Sequence, residues 1–200
     1  MSQINQPEVT VNIVGANTPV ANATQKVLFV GQQVAAGTAT SGELQENILN
    51  DNSWDTLFGI NSQIAGMIRN ARANNQVTRF DAIGLDDASG TPAAGSVAFS
   101  GTATAAGSID VIVGSEKNHK FTIAVASGAT AASLGVLLET AVLADTKCPV
   151  TAADTTGTVA MTADNDGTLG NSIGLEVNGA VAGITVAIVA MTSGATDPTL

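Results

Sequence analysis

The segment KVLFVGQ, Lys26 to Gln32, decides how the first part of the chain is read. Val27, Leu28, Phe29 and Val30 make a continuous apolar run that Gly31 ends, a pattern that predicts a strand buried on both faces in a parallel sheet. Downstream, Thr40 and Glu43 stand at the T-x-x-E spacing of a capping box and predict a short helix through Leu44, Ile48 and Leu49. Ser53 is the expected cap of the turn WDTLFG, which Gly59 stops. Ile60, Ile64, Met67, Ile68 and Ala71 then recur at helical spacing, with Asn74 and Asn75 as the stop. Arg69 and Arg72 fall toward that helix's C-terminal end, where its dipole favours cations. VTRFDAIGL, Val77 to Leu85, reads as a second strand. Strand, helix, strand is a parallel βαβ unit, and two strands cannot bury both faces of a sheet, so the unit requires further chain.

The texture changes after DDASGTPAAG, residues 86–95. SVAFSG, SIDVIVG, KFTIAVA, GTVAMTA, SIGLEVN and GITVAIVAM each alternate in part, with Gly, Ser or Asp between them, and read as short strands. One helix interrupts them, with Thr130 as N-cap and an apolar stripe of Leu134, Leu137, Leu138, Ala141 and Val142. The expected fold class is α+β. An extended polar arm spans 1–24, with EVTVNIV as its candidate strand, and a partial α/β core segment spans 25–88. A β-rich, sandwich or barrel-like domain carrying one helix spans 89–194, and a linker spans 195–200.

Composition narrows the function classes. The chain of 200 residues is 44% hydrophobic yet only 3% aromatic, with 21 glycines and no Tyr. Its apolar content is therefore small and aliphatic, which suits many short strands. Acidic residues outnumber Lys and Arg by 17 to 7, a net charge of -10 that repels nucleic acid and anionic lipid. No uncharged run reads as a membrane span, and MSQINQPEVTVN lacks the basic and apolar regions of a secretory signal. The single cysteine, Cys148, suits a reducing compartment, so the chain reads as cytoplasmic when made.

Candidate chemistry concentrates in TADNDGTLGNSIGLEV, Thr162 to Val177. Asp164, Asn165 and Asp166 before a glycine suggest a calcium loop, but counting from Asp164 the sixth position is Leu169 and the twelfth Leu175, where an EF-hand needs Gly and Glu. D-N-D-G is instead read as a hairpin turn, because Asn, Asp and Gly tolerate positive φ. Gly170 to Gly174 spell G-x-S-x-G, yet Ser172 enters an expected strand and the only histidine, His119, lies upstream in the polar turn SEKNHK beside Lys117 and Lys120. Cys148 reads as a small buried hydrophobe, and Asp86 and Asp87 as a solvated boundary loop. Trp54 with Phe58 reads either as an interface anchor or as packing under the first helix. Arg69, Arg72 and Arg79 are the basic cluster, suited to pairing with acids on a neighbouring subunit or to lining a solvated face. No catalytic constellation emerges: the expected catalytic, metal and cofactor sites are none, and the chain reads as a non-enzyme.

Taken together, the segments resemble the tail sheath proteins of contractile-tailed bacteriophages, particularly the Mu-like group. KVLFVGQQVAAGTAT looks like that family's first core strand and following loop. LFGINSQIAGMIRNARANN is similar to its F-G-x-x-S-x-[IL]-x-x-M-[IV]-R-x-x-R-x-N helix, from Phe58 to Asn74, and the later strands look like a β-rich domain inserted into the core. The resemblance implies a structural virion subunit that forms stacked hexameric rings, a helical assembly around a tail tube, and contracts to drive the tube through the host envelope. It implies homo-oligomeric contacts through terminal arms that add strands to neighbouring sheets, and further contacts with tube protein, baseplate and tail terminator. It implies no cofactor, nucleic acid or membrane span, with assembly in the host cytoplasm and a final place in the virion tail. Family members continue past the inserted domain into more α/β core, so residues 195–200 are expected to return toward a C-terminal core beyond Leu200. The alternative reading is a secreted or surface-displayed, adhesin-like β-domain, which needs exposed aromatics and an export signal.

Overall fold

The computed structural model describes residues 25–48, 52–87, 89–114 and 118–198, which form an α+β arrangement. The arm expected at 1–24, Leu49, Lys117 and positions 199–200 lie outside the described residues. Within them, β1 (Lys26–Gln32) runs parallel to β3 (Arg79–Leu85), from Lys26 beside Arg79 to Gln32 beside Leu85. Between them come β2 (Leu44–Ile48), α1 (Ser53–Phe58) and α2 (Gln63–Asn74). β2 adds to β3 antiparallel, giving the sheet order β1-β3-β2. The helices cover one face of this sheet, and Ile48, Trp54, Phe58, Ile64, Ile68 and Phe80 make a first core.

Two expectations for this region are corrected. No helix follows Thr40: Leu44–Ile48 is a strand, and the Thr40 carbonyl accepts the Glu43 N–H at 3.2 Å only to form a turn. A local capping signal contributes about 1 kcal/mol, and pairing on β3 with burial of Ile48 outweighs it. Nor is β1 buried on both faces. Phe29 and Gly31 look toward the helices, while Leu28 and Val30 stand on the opposite face 53% and 42% exposed, the face that also carries Leu44 of β2 across β3. The apolar run is real, and among the described residues nothing covers its second side.

The second core belongs to the remaining strands. β4 (Pro92–Gly101), β8 (Thr158–Asp166), β7 (Val150–Thr155) and β10 (Ile184–Thr192) form one sheet in the order β10-β4-β8-β7. β5 (Gly107–Gly114), β6 (Asn118–Val125) and β9 (Gly174–Asn178) form another in the order β6-β5-β9. Strict alternation explains their shared interior. Ile109, Val111 and Val113 of β5, Phe121, Ile123 and Val125 of β6, and Val159, Met161 and Ala163 of β8 all point into one cluster. Each large aliphatic side chain buried this way contributes roughly 1.5–3 kcal/mol before entropic costs.

α3 (Ala131–Ala144) closes the space between β6 and β7. Thr130 caps it reciprocally with Ser133: the Ser133 N–H donates to Thr130 Oγ1 at 3.3 Å and the Thr130 N–H to Ser133 Oγ at 3.1 Å. Leu134, Leu138 and Val142 enter the core, whereas Leu137, placed in the same stripe from sequence, is 47% exposed. β7, VTAADT, was not anticipated because its small residues give weak alternation. The chain arrives and leaves side by side: Thr91 and Ala195 form an antiparallel bridge with N–H···O distances of 3.1 and 3.0 Å.

Candidate functional site: the junction between the two cores

The stretch Thr162–Val177 is not a hairpin. β8 and β9 lie in different sheets, and Gly167 and the 3-10 turn Thr168–Ser172 carry the chain between them. The inward series Val159, Met161, Ala163 continues in phase to Asn165, which is 7% exposed and stands where β8 leaves the hydrophobic interior. A buried amide needs partners, and Asn165 finds them on the first core. Its Oδ1 accepts the Gln63 N–H at 3.0 Å, while its Nδ2 donates to the Gln33 carbonyl and to Asp87 Oδ1, both at 3.3 Å.

The Gln63 contact also answers a need of α2. The opening N–H groups of a helix have no intrahelical acceptor. Ser62 Oγ takes the Ala65 N–H at 3.2 Å as an ordinary N-cap, and Asn165 takes the Gln63 N–H from the other core. Three further bonds run alongside. Asn61 Nδ2 donates to Asp164 Oδ2 at 2.9 Å, the Asp166 N–H donates to Asp87 Oδ1 at 2.9 Å, and Gln33 Nε2 donates to Asp86 Oδ1 at 3.0 Å. Asp86 and Asp87 are therefore structural acceptors at the crossing between cores rather than a purely solvated pair. Burial pushes the Asp164 carboxyl up to about 6, with the neighbouring charge of Asp87 adding to the rise and the Asn61 hydrogen bond opposing it. On the outgoing side, Asn171 exchanges two hydrogen bonds with Gly194, at 3.0 and 2.8 Å, and Asp197 accepts from the N–H and hydroxyl of Thr168, both at 2.7 Å.

A cleft of about 230 Å³ opens beside this network, lined by Asn61, Gly66 and Arg69 of the first core and His119, Lys147 and Ser172 of the second. His119 sits on β6, half-buried, not in a solvated turn as the sequence suggested, and its Nδ1 donates to Asp145 at 2.7 Å. The fold thus brings His119 and Ser172 to one cleft, which linear order had argued against. Their chemistry is not joined, because the Ser172 hydroxyl donates to the Leu169 carbonyl at 2.8 Å within its own turn. Among the described residues no group of three His, Cys, Asp or Glu side chains is arranged to hold a metal ion, and no helix is long and apolar enough to cross a membrane. Cys148 is buried, its thiol pushed up to about 12 by desolvation, so it carries almost no reactive thiolate. Trp54 and Phe58 are packing residues of the first core, 4% and 0% exposed.

What this arrangement does is mechanical: it fixes one core on the other through buried, directional hydrogen bonds. The sequence pointed to the right stretch but to the wrong role, since the period-two phase that reaches Asn165 was the available signal. No established family profile matches the chain. Among curated proteins, it is 35% identical over 157 residues to the Mu-like prophage FluMu tail sheath protein of Haemophilus influenzae. The aligned part makes up 78% of this chain and 31% of that protein, so the chain spans less than half the length of the relative it matches. Over most of its own length, the chain is thus similar to a phage tail sheath protein.

Proposed function

We propose that this chain is the N-terminal part of a structural subunit of a contractile phage tail sheath. In that reading the subunits stack as hexameric rings around a tail tube and contract to drive the tube through the host envelope. The observation that carries the reading is the 35% identity over 157 residues with a Mu-like prophage tail sheath protein. Two features of the fold support it. The open face of the β1-β3-β2 sheet, with Leu28, Val30 and Leu44, suits a core segment that further chain completes. The adjacent segments at Thr91 and Ala195 suit a β-rich domain at 89–194 inserted into that core, with 195–200 returning toward it.

The working parts are surfaces rather than reactive groups. Residues 1–24 serve as the arm that adds a strand to a neighbouring subunit. The tube protein, baseplate and tail terminator are the remaining partners, assembly takes place in the host cytoplasm, and the mature location is the virion tail. The test is the mass and assembly state of the polypeptide isolated from particles. A chain much longer than 200 residues in striated tubes is expected. A native polypeptide that ends at Leu200 and stays monomeric contradicts the polymer mechanism.

A further inference from the structure

Asn178 and Gly179 form the only Asn-Gly pair in the 200 residues, and they stand where β9 ends. An asparagine side chain is open to attack by the backbone nitrogen of the next residue, and glycine, with no Cβ, shields that nitrogen least. The fold leaves this pair free. Asn178 is exposed, and its side-chain amide has no hydrogen-bond partner among the described residues. Gly179 is also exposed, with φ at 92°, and its N–H makes no turn or loop hydrogen bond among the described residues. β9 lies at the edge of the sheet β6-β5-β9, and Asp110 opposite Asn178 is the last pair of its ladder. Strand ends open at little cost, which lets the Asn178 backbone rotate and bring the nitrogen to Cγ.

Comparable pairs elsewhere are held. Asp166 before Gly167 can close the same ring, but the Gly167 N–H donates to the Thr91 carbonyl at 3.2 Å and the Asp166 N–H to Asp87 at 2.9 Å. Asn61 and Asn171 each precede a serine, and both amides are engaged. Asn61 donates to Asp164 at 2.9 Å, and Asn171 exchanges bonds with Gly194 at 3.0 and 2.8 Å.

We propose that the Asn178-Gly179 pair is a self-modifying site, at which Asn178 converts to isoaspartate or aspartate and loosens β9 from β5. A base takes the Gly179 amide proton, the nitrogen bonds to Asn178 Cγ, and the Cγ–Nδ2 bond breaks to release ammonia. Water then opens the resulting succinimide ring. Breaking the new N–Cγ bond leaves aspartate. Breaking the bond from that nitrogen to the Asn178 carbonyl carbon leaves isoaspartate, with the chain routed through Cβ and Cγ. The net reaction consumes water and releases ammonia, and nothing is oxidised or reduced. Either product sets a carboxylate directly across from Asp110, which is already held by Lys120 at 2.9 Å and by the Thr122 hydroxyl at 2.7 Å. Like charges facing each other across a ladder destabilise it. Isoaspartate also lengthens the backbone next to Val177, which packs against the second core. The proposal stands independently of the sheath reading.

The full chain is held in mildly alkaline buffer and mapped by mass spectrometry with electron-transfer fragmentation, beside a free peptide of residues 175–181. Position 178 of the folded chain is expected to convert within about tenfold of the peptide's rate, with isoaspartate the major product. Asn61, Asn171 and Asp166 are expected to stay intact over the same time. Hydrogen exchange of the β9 amides is expected to quicken severalfold in the aged chain. Asn178→Gln, whose longer side chain disfavours ring closure, is expected to keep the exchange of the fresh chain after the same treatment. A peptide that converts while the folded chain keeps its Asn178 amide overturns the proposal. Conversion of Asn61 and Asn171 as fast as Asn178 overturns it too, as does an aged chain whose β9 amides exchange no faster than those of Asn178→Gln.

Discussion

Asp164 and Asn165 do different work at adjacent positions. Asp164 is held where its charged form is disfavoured, with a folded value near 6 against an ordinary 3.8. The folded state therefore binds the proton more tightly than the unfolded chain does, and stability rises as pH falls from about 7 toward 4. Thermal unfolding between those limits is expected to show this trend in the native chain and to lose it in Asp164→Asn, which keeps the Asn61 contact without a charge. An unchanged pH trend in the variant would assign the effect elsewhere. Asn165→Ala strands the Gln63 N–H of α2 and is expected to cost about 1–3 kcal/mol in denaturant unfolding. The sequence exposed these residues but disguised them. A DNDG string is a turn by propensity, and only the phase of Val159, Met161 and Ala163 identifies Asn165 as inward. The partners, Gln33, Gln63 and Asp87, lie up to 132 residues away in sequence, beyond any local signal.

Elements were legible where local preference and tertiary demand agreed. α2, α3, β1, β3 and most strands of the second core follow from periodicity and capping residues. β2 did not, because a sound capping box competed with strand pairing and lost. β7 did not, because alanines and threonines carry little alternation. The two helices offer a paired test on glycine. Gly66 of α2 faces open space, with no atom within 4 Å of an added Cβ, so Gly66→Ala is expected to stabilise by about 0.5–1 kcal/mol. Gly135 of α3 packs against the turn between β7 and β8, where an added methyl would overlap the Asp154 carboxylate and the Gly157 backbone. Gly135→Ala is expected to destabilise by roughly 1–3 kcal/mol despite the better helix propensity. Equal signs in chemical denaturation would refute the packing described for α3.

At the scale of the molecule, two hydrophobic cores meet through a polar junction. The second draws on two sheets and a helix, while among the described residues the first has a sheet covered on one face. Limited proteolysis is therefore expected to leave residues 89–194 protected while residues 25–88 are cut first, and equal protection would count against an incompletely supported first core. The sequence predicted a sheet in need of cover, since a βαβ unit alone cannot bury both faces, and among the described residues one face is indeed open. The junction was not, since it depends on how the two cores dock. The sheath reading is tested most directly by immunogold electron microscopy of intact phage tails, using antibody raised against this chain. Regular labelling along the outer tail, with the axial spacing shortened in contracted particles, is the expected result. Labelling confined to a tail end, or absent from tails altogether, would contradict it.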